Sequence, residues 1–172
     1  MRSSEYRAYN LIFPVYGLLL FPTPLWVLFI PLNYVIDRFV LSLGLKREHV
    51  FDDKAEQKSF LDHTGWKICI AGFAADFIGA SIIIFRDLYQ PFFPQETMQA
   101  INYAVYGTPF ASSAGLIVFL LAILIAGICV YFFGRHILTK AGLEKHTAVR
   151  IAMLMAVITA PYTILIPTNL FY

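Results

Sequence analysis

Residues 113–133 read SAGLIVFLLAILIAGICVYFF, about 20 consecutive positions without a charge. The hydrocarbon core of a bilayer is about 30 Å thick, and a helix rises about 1.5 Å per residue. A run of this length and character is therefore the natural size of one crossing. Two further runs, 66–85 and 148–166, have the same character, each bounded by polar residues, proline or both. The expected fold is an all-α, polytopic transmembrane bundle forming a single domain over residues 1–172.

Upstream of these runs the division is less clean. Residues 11–45 are nearly uncharged and too long for one simple span. Thr23-Pro24 reads as an N-cap followed by proline at the first helical position, which starts a fourth span at 24–45. Pro31 inside it predicts a kink, and Gly44 near its end suits helix termination. Residues 9–21 are apolar but short, and Pro14 interrupts them. They are expected to form a broken, re-entrant or interfacial segment, with Phe21-Pro22-Thr23-Pro24 as the turn; a fifth, tilted span is the alternative. Arg2 and Arg7 precede this stretch without a small-residue cleavage site, so it is expected to remain in the mature protein.

Composition agrees with a chain whose outside faces hydrocarbon. It is 59% hydrophobic and 14% charged, against about 45–50% and about 25% for soluble domains. A net charge of +2 offers no field suited to nucleic acid. The distribution of Lys and Arg matters more. The loop at 46–67 contains Lys46, Arg47, Lys54, Lys58 and Lys67, and the loop at 135–150 contains Arg135, Lys140, Lys145 and Arg150. The stretch 87–112 has none, and neither does the tail after Ile166. By the positive-inside rule the two basic loops face the cytoplasm, and the middle loop and C-terminus face outward. Four spans alone place the N-terminus outside, whereas Arg2, Arg7 and a fifth span would place it inside. In the outer loop, Gln95 to Tyr106 reads as a short amphipathic helix with Met98, Ile101 and Val105 on one side. Tyr103, Tyr106 and Phe110 read as an aromatic interfacial belt.

Ionisable groups at membrane depth are costly and mark candidate sites. Asp76 is mid-span, and Asp37 and Arg38 lie in the preceding helix with Asn33 one turn earlier. Counting inward from Lys46 and Lys67 puts Asp37, Arg38 and Asp76 on one level, about 13 Å from the boundary. One reading is structural: Arg38 pairs with Asp76 and Asn33 bonds across helices. Another is a cation or proton site formed by Asp37 and Asp76, and a third is that Asp37 and Arg38 pair with each other or snorkel to the interface. Gly72, Asp76 and Gly79 share a helix face, and Gly115, Ala122 and Ala126 repeat the small-residue habit in the next span, as expected of close helix packing. Pro161 lies inside the last span and predicts another kink.

No catalytic set is expected. Cys69 and Cys129 sit in apolar runs and read as small helix residues. His49, His63, His136 and His146 fall in the basic loops without metal-ligand spacing, next to acids such as Asp52 to Asp53 and Asp62. No nucleophile elbow, Walker loop or dinucleotide-binding glycine pattern appears, so neither cofactor nor metal is expected.

Three stretches resemble a family of small, uncharacterised bacterial polytopic membrane proteins. They are Ile30-Pro31-Leu32-Asn33-Tyr34-Val35-Ile36-Asp37, Gly72-Phe73-Ala74-Ala75-Asp76-Phe77-Ile78-Gly79, and the ending from Thr159-Ala160-Pro161-Tyr162 through Pro167-Thr168 to Phe171-Tyr172. The resemblance implies a bacterial inner-membrane location and no activity. The expected function is that of a non-enzymatic membrane component or assembly partner. The alternative is a small oligomeric transporter or channel using Asp37 and Asp76. The expected partners are the lipid bilayer and either further copies or another membrane protein.

Overall fold

The computed structural model describes residues 26–167. The expected segment at 9–21, the Thr23-Pro24 helix start and the tail beyond Pro167 lie outside the described residues. Helix α1 covers Trp26–Arg47 and continues through Pro31. Its end is a Schellman motif. Val50 N–H donates to the Leu45 carbonyl and His49 N–H to that of Lys46, at 3.1 and 3.2 Å, with His49 at a left-handed φ of 49°. Gly44 is therefore not the terminator. It is buried inside the helix, where an added Cβ would lie 3.0 Å from Ile151 Cγ2. Its missing side chain lets a neighbouring helix approach.

Helix α2 runs over Lys54–Ile84, 31 residues or about 46 Å. Asp53 caps it by accepting from Ala55 N–H at 3.0 Å. Residues 54–63, expected as part of the loop at 46–67, form instead the first turns of α2. Charge sets where an apolar span stops, not where a helix stops, and Ala, Glu, Gln and Lys are good helix formers. Gln57 fastens this extension to α1 by donating to the Ser42 hydroxyl and carbonyl at 3.1 and 3.3 Å.

Helix α3 spans Gln95–Tyr106 and buries Met98, Ile101, Ala104 and Val105. Arg86, two residues past α2, ties it down by donating to Asn102 Oδ1 at 2.6 Å and to the Tyr106 hydroxyl at 2.5 Å. Tyr103, Tyr106 and Phe110 stay exposed, as do Leu88 and Phe92. Helix α4, Ser113–Lys140, starts at an N-cap: Ser112 Oγ accepts from Gly115 N–H at 3.0 Å and donates to the Ala100 carbonyl at 2.9 Å. It ends in a second Schellman motif, from Leu143 N–H to Leu138 O and from Gly142 N–H to Thr139 O, with Gly142 at φ +99°. An alanine there would carry the left-handed strain of an L side chain. Gly142→Ala is expected to lower stability by about 1 kcal/mol, read as a drop in thermal midpoint in detergent.

Helix α5, Lys145–Ile158, stops three residues before Pro161. The expected kink is thus a break. Proline disfavours helical backbone at the residue before it and supplies no N–H to the carbonyl four residues back. That carbonyl belongs to Val157, and the Tyr162 hydroxyl donates to it at 2.6 Å. Pro161 itself, at φ −76° and ψ 62°, forms an inverse γ-turn in which Tyr162 N–H donates to the Ala160 carbonyl at 2.7 Å. A 3-10 turn at Tyr162–Leu165 continues the chain.

All elements among the described residues are helical, and three stretches are long and apolar enough to cross a membrane: Lys54–Ile84, Ser113–Lys140 and Lys145–Leu165. Their outer faces are apolar as well. Ile70, Phe77, Ile117, Leu124, Phe132 and Val157 are all exposed, which suits hydrocarbon and not water. The α2–α4 interface is the most extensive, followed by α4–α5 and α1–α2. It closes on small residues. A Cβ on Gly79 would lie 2.6 Å from the Ala122 carbonyl oxygen and 2.8 Å from Ala126 Cβ; α4 meets α3 in the same way, where one on Gly115 would run into Ala104 Cβ. Two buried clusters result. One, with Leu41, Leu45, Leu138 and Ile151, lies at the basic end. The other, with Ile83, Ile101 and Phe119, lies at the end carrying α3.

Candidate functional site

One face of α2, carrying Gly65, Cys69, Gly72 and Asp76, packs on α1. These positions follow helical i, i+4, i+7, i+11 spacing, so they form one stripe. Small residues along it leave room for the polar side chains of α1. A Cβ on Gly65 would lie 3.6 Å from the Tyr34 ring, and one on Gly72 would lie 3.4 Å from Asp37 Oδ2 and 3.9 Å from Asn33 Nδ2.

Asp37 is 2% exposed. Its hydrogen-bond partner is one turn earlier on its own helix, where Asn33 Nδ2 donates to Oδ2 at 3.2 Å. Asp76 lies one turn beyond Gly72, and its Oδ1 is buried without a hydrogen-bond donor among the described residues. The two helices run antiparallel, and each Cα–Cβ bond tilts toward the N-terminus of its own helix. The two carboxyl groups therefore lean toward each other over Gly72, and repel when both are charged. The structure brings Asn33, Asp37 and Asp76 to one place. Asp37 faces Gly72 directly, so the Cα of Asp76 sits about one turn, roughly 6 Å, farther along than depth counting placed it.

Arg38 does not join them, which corrects the expected Arg38–Asp76 pair. Its guanidinium turns toward the basic end of the bundle, donating to Asp62 Oδ1 at 2.5 Å and to the Tyr34 hydroxyl at 3.1 Å. A long side chain bends toward water, and the polar N-terminal extension of α2 puts Asp62 within its reach. Arg38 and Asp62 are 26% and 56% exposed, so solvent screens this pair. Asp62→Ala is expected to cost under about 1 kcal/mol in thermal unfolding and to lose even that at high salt. A loss of several kcal/mol would make Arg38 a buried structural ion instead.

Sequence reasoning missed Cys69. Read alone it is a small apolar helix residue, but it is buried on the same stripe, one turn before Gly72. Its spacing of three from Gly72 and seven from Asp76 is the signal that could have found it. Tyr34 and Asp62 were likewise passed over as partners of Arg38. Among the described residues no group of three His, Cys, Asp or Glu side chains converges as metal ligands do.

What the arrangement can do follows from its charge. Two carboxyl groups lie between packed helices, with one amide and one thiol beside them. The nearest cationic side chain on either helix is engaged elsewhere. Two carboxyl groups served by one amide donor, with one oxygen left over, are completed by a species that brings positive charge or a further donor. No family model, no curated protein and no solved structure matches this chain.

Proposed function

We propose that this is an integral membrane protein of a bacterial cell (inner) membrane, and that it transports or conducts a small cation or a proton through the α1–α2 interface. In this reading α1 is the fourth span, beside the three helices of sufficient length and apolarity. The loops at 46–67 and 135–150 face the cytoplasm, and the C-terminus faces outward. The observation that carries the reading is Asp76 Oδ1, buried without a donor beside the buried Asp37. Charged groups at membrane depth that serve only structure are normally paired, and these two have no cation among the described residues.

The test is ion flux in proteoliposomes, with separate fluorescent indicators for protons, sodium and potassium. Wild-type protein is expected to pass one of these ions, and Asp37→Asn and Asp76→Asn to abolish the flux while remaining folded. Equal flux in wild type and both variants would overturn the reading.

The same orphaned oxygen supports a second, non-enzymatic reading, in which the chain is an assembly partner. A donor or cation from another copy, or from a different membrane protein, would then complete Asp76. Wild-type protein without flux, together with a co-purifying membrane protein lost in Asp76→Asn, would favour it.

A further inference from the structure

At the basic end of the bundle a groove of about 830 Å³ opens between the end of α1 and the outer face of α5. Its mouth carries Arg47, His49 and Arg150, and its floor continues along α5 through Met153, Leu154 and Val157. From Arg150 to Val157 is seven residues, or about 10 Å of helix running from the charged end into the apolar zone. On the other flank of α5 a second groove of about 380 Å³ lies against α4, walled by Leu124, Ile128 and Phe132. The two grooves share Met153 and Val157, which form the ridge between them and are 57% and 61% exposed.

We infer that this double groove binds an anionic phospholipid, its phosphate held by Arg47 and Arg150 and its two acyl chains lying on either side of the Met153–Val157 ridge. The charge at the mouth selects the headgroup. Glu48 takes one bond from Arg150 at 3.2 Å, which leaves the rest of that guanidinium fork free. Arg47 and the adjacent Lys46 are exposed and make no ion pair among the described residues. Basic pockets between spans at a membrane boundary recognise anionic headgroups in this way, and a soluble anion would gain nothing from the apolar floor. His49 reaches the mouth only because the Schellman turn of α1 places it in left-handed backbone. This site shares no residue with the carboxylate pair and stands or falls separately from it.

The test is native mass spectrometry of the full chain in detergent, after addition of phosphatidylglycerol or of phosphatidylcholine with the same acyl chains. Phosphatidylglycerol is expected to be retained preferentially, with Arg47→Gln and Arg150→Gln each weakening retention about fivefold. Arg47→Gln breaks no ion pair of the described fold, so it tests the site even where Arg150→Gln disturbs the Glu48 contact. Lys58→Gln, on an exposed face of α2, is expected to leave retention unchanged. A third arm measures thermal stability. Phosphatidylglycerol is expected to raise the midpoint of wild type but not of Arg47→Gln, and inorganic phosphate to raise neither. Equal retention of the two lipids, indifference to Arg47→Gln, or protection by inorganic phosphate matching that by lipid would each overturn the inference.

Discussion

Gly79→Leu is expected to lower the unfolding free energy by about 3 kcal/mol or more, at the upper end of overpacking costs. The size of the effect follows from what the new side chain would meet. Even its Cβ would lie 2.6 Å from the Ala122 carbonyl oxygen and 2.8 Å from Ala126 Cβ. Neither neighbour can rotate away, because one is backbone and the other is a methyl fixed to it. Ala122 and Ala126 are both 0% exposed. The only relief is to move α2 away from α4, and this pair forms the largest interface of the fold. Helices in lipid gain little from hydrophobic burial and depend on close packing, so the separation forfeits contacts along the whole seam. The measurement is reversible unfolding in mixed micelles, or the thermal midpoint in a single detergent. Gly127→Ala is the matched control, since its Cβ would sit 3.5 Å from the Ala156 carbonyl, at ordinary contact distance. A Gly79→Leu protein as stable as that control would show that α2 and α4 do not meet at this glycine.

How far such contacts can be read from the chain depends on which property encodes them. Gly79, Ala122 and Ala126 stood out because small residues at helical spacing within apolar runs have few other uses. Gln95 and Tyr106 could be named as the ends of α3 because Pro94 and Gly107 flank an amphipathic pattern. Residues 54–65 could not be joined to α2 in the same way. Hydropathy finds the part of a helix that suits lipid, and these turns are polar. The stop of α5 at Ile158 was hidden for another reason. A proline inside a membrane helix is compatible with either a kink or a break. The choice here depends on Tyr162, whose hydroxyl satisfies the carbonyl that Pro161 abandons. Arg38 shows a third limit. Counting residues from Lys46 locates its Cα, but its guanidinium lies several bonds away, and the direction it takes is set by Asp62 and Tyr34. The polar cluster was therefore legible to within about one helical turn of depth and not as a set of partners.

That difference in partners reverses the expected sign of a second substitution. Had Asp76 been one half of an ion pair with Arg38, Asp76→Asn would strand a buried guanidinium and cost about 3–5 kcal/mol. With Arg38 engaged by Asp62, nothing cationic on α1 or α2 depends on Asp76. Asparagine has nearly the same shape, keeps an acceptor oxygen and, where both carboxyls are charged, removes their repulsion across Gly72. Asp76→Asn is therefore expected to fold and to be more stable than wild type, by about 1–3 kcal/mol if the wild-type carboxylates are left without a bound cation. The double variant Asp37→Asn/Asp76→Asn is expected to add little, because the first substitution already relieves the shared repulsion, and sites in contact combine non-additively. The thermal midpoint decides the point when measured for all four proteins in cation-poor and cation-rich buffers. A cation held by the pair would stabilise wild type by mass action and leave both asparagine variants unmoved, so the gap between wild type and Asp76→Asn should close as the right cation is added. A midpoint that falls steeply in Asp76→Asn under every condition would instead make that carboxylate a structural group whose partner lies beyond α1 and α2. Binding and flux through this interface would then lose their main support.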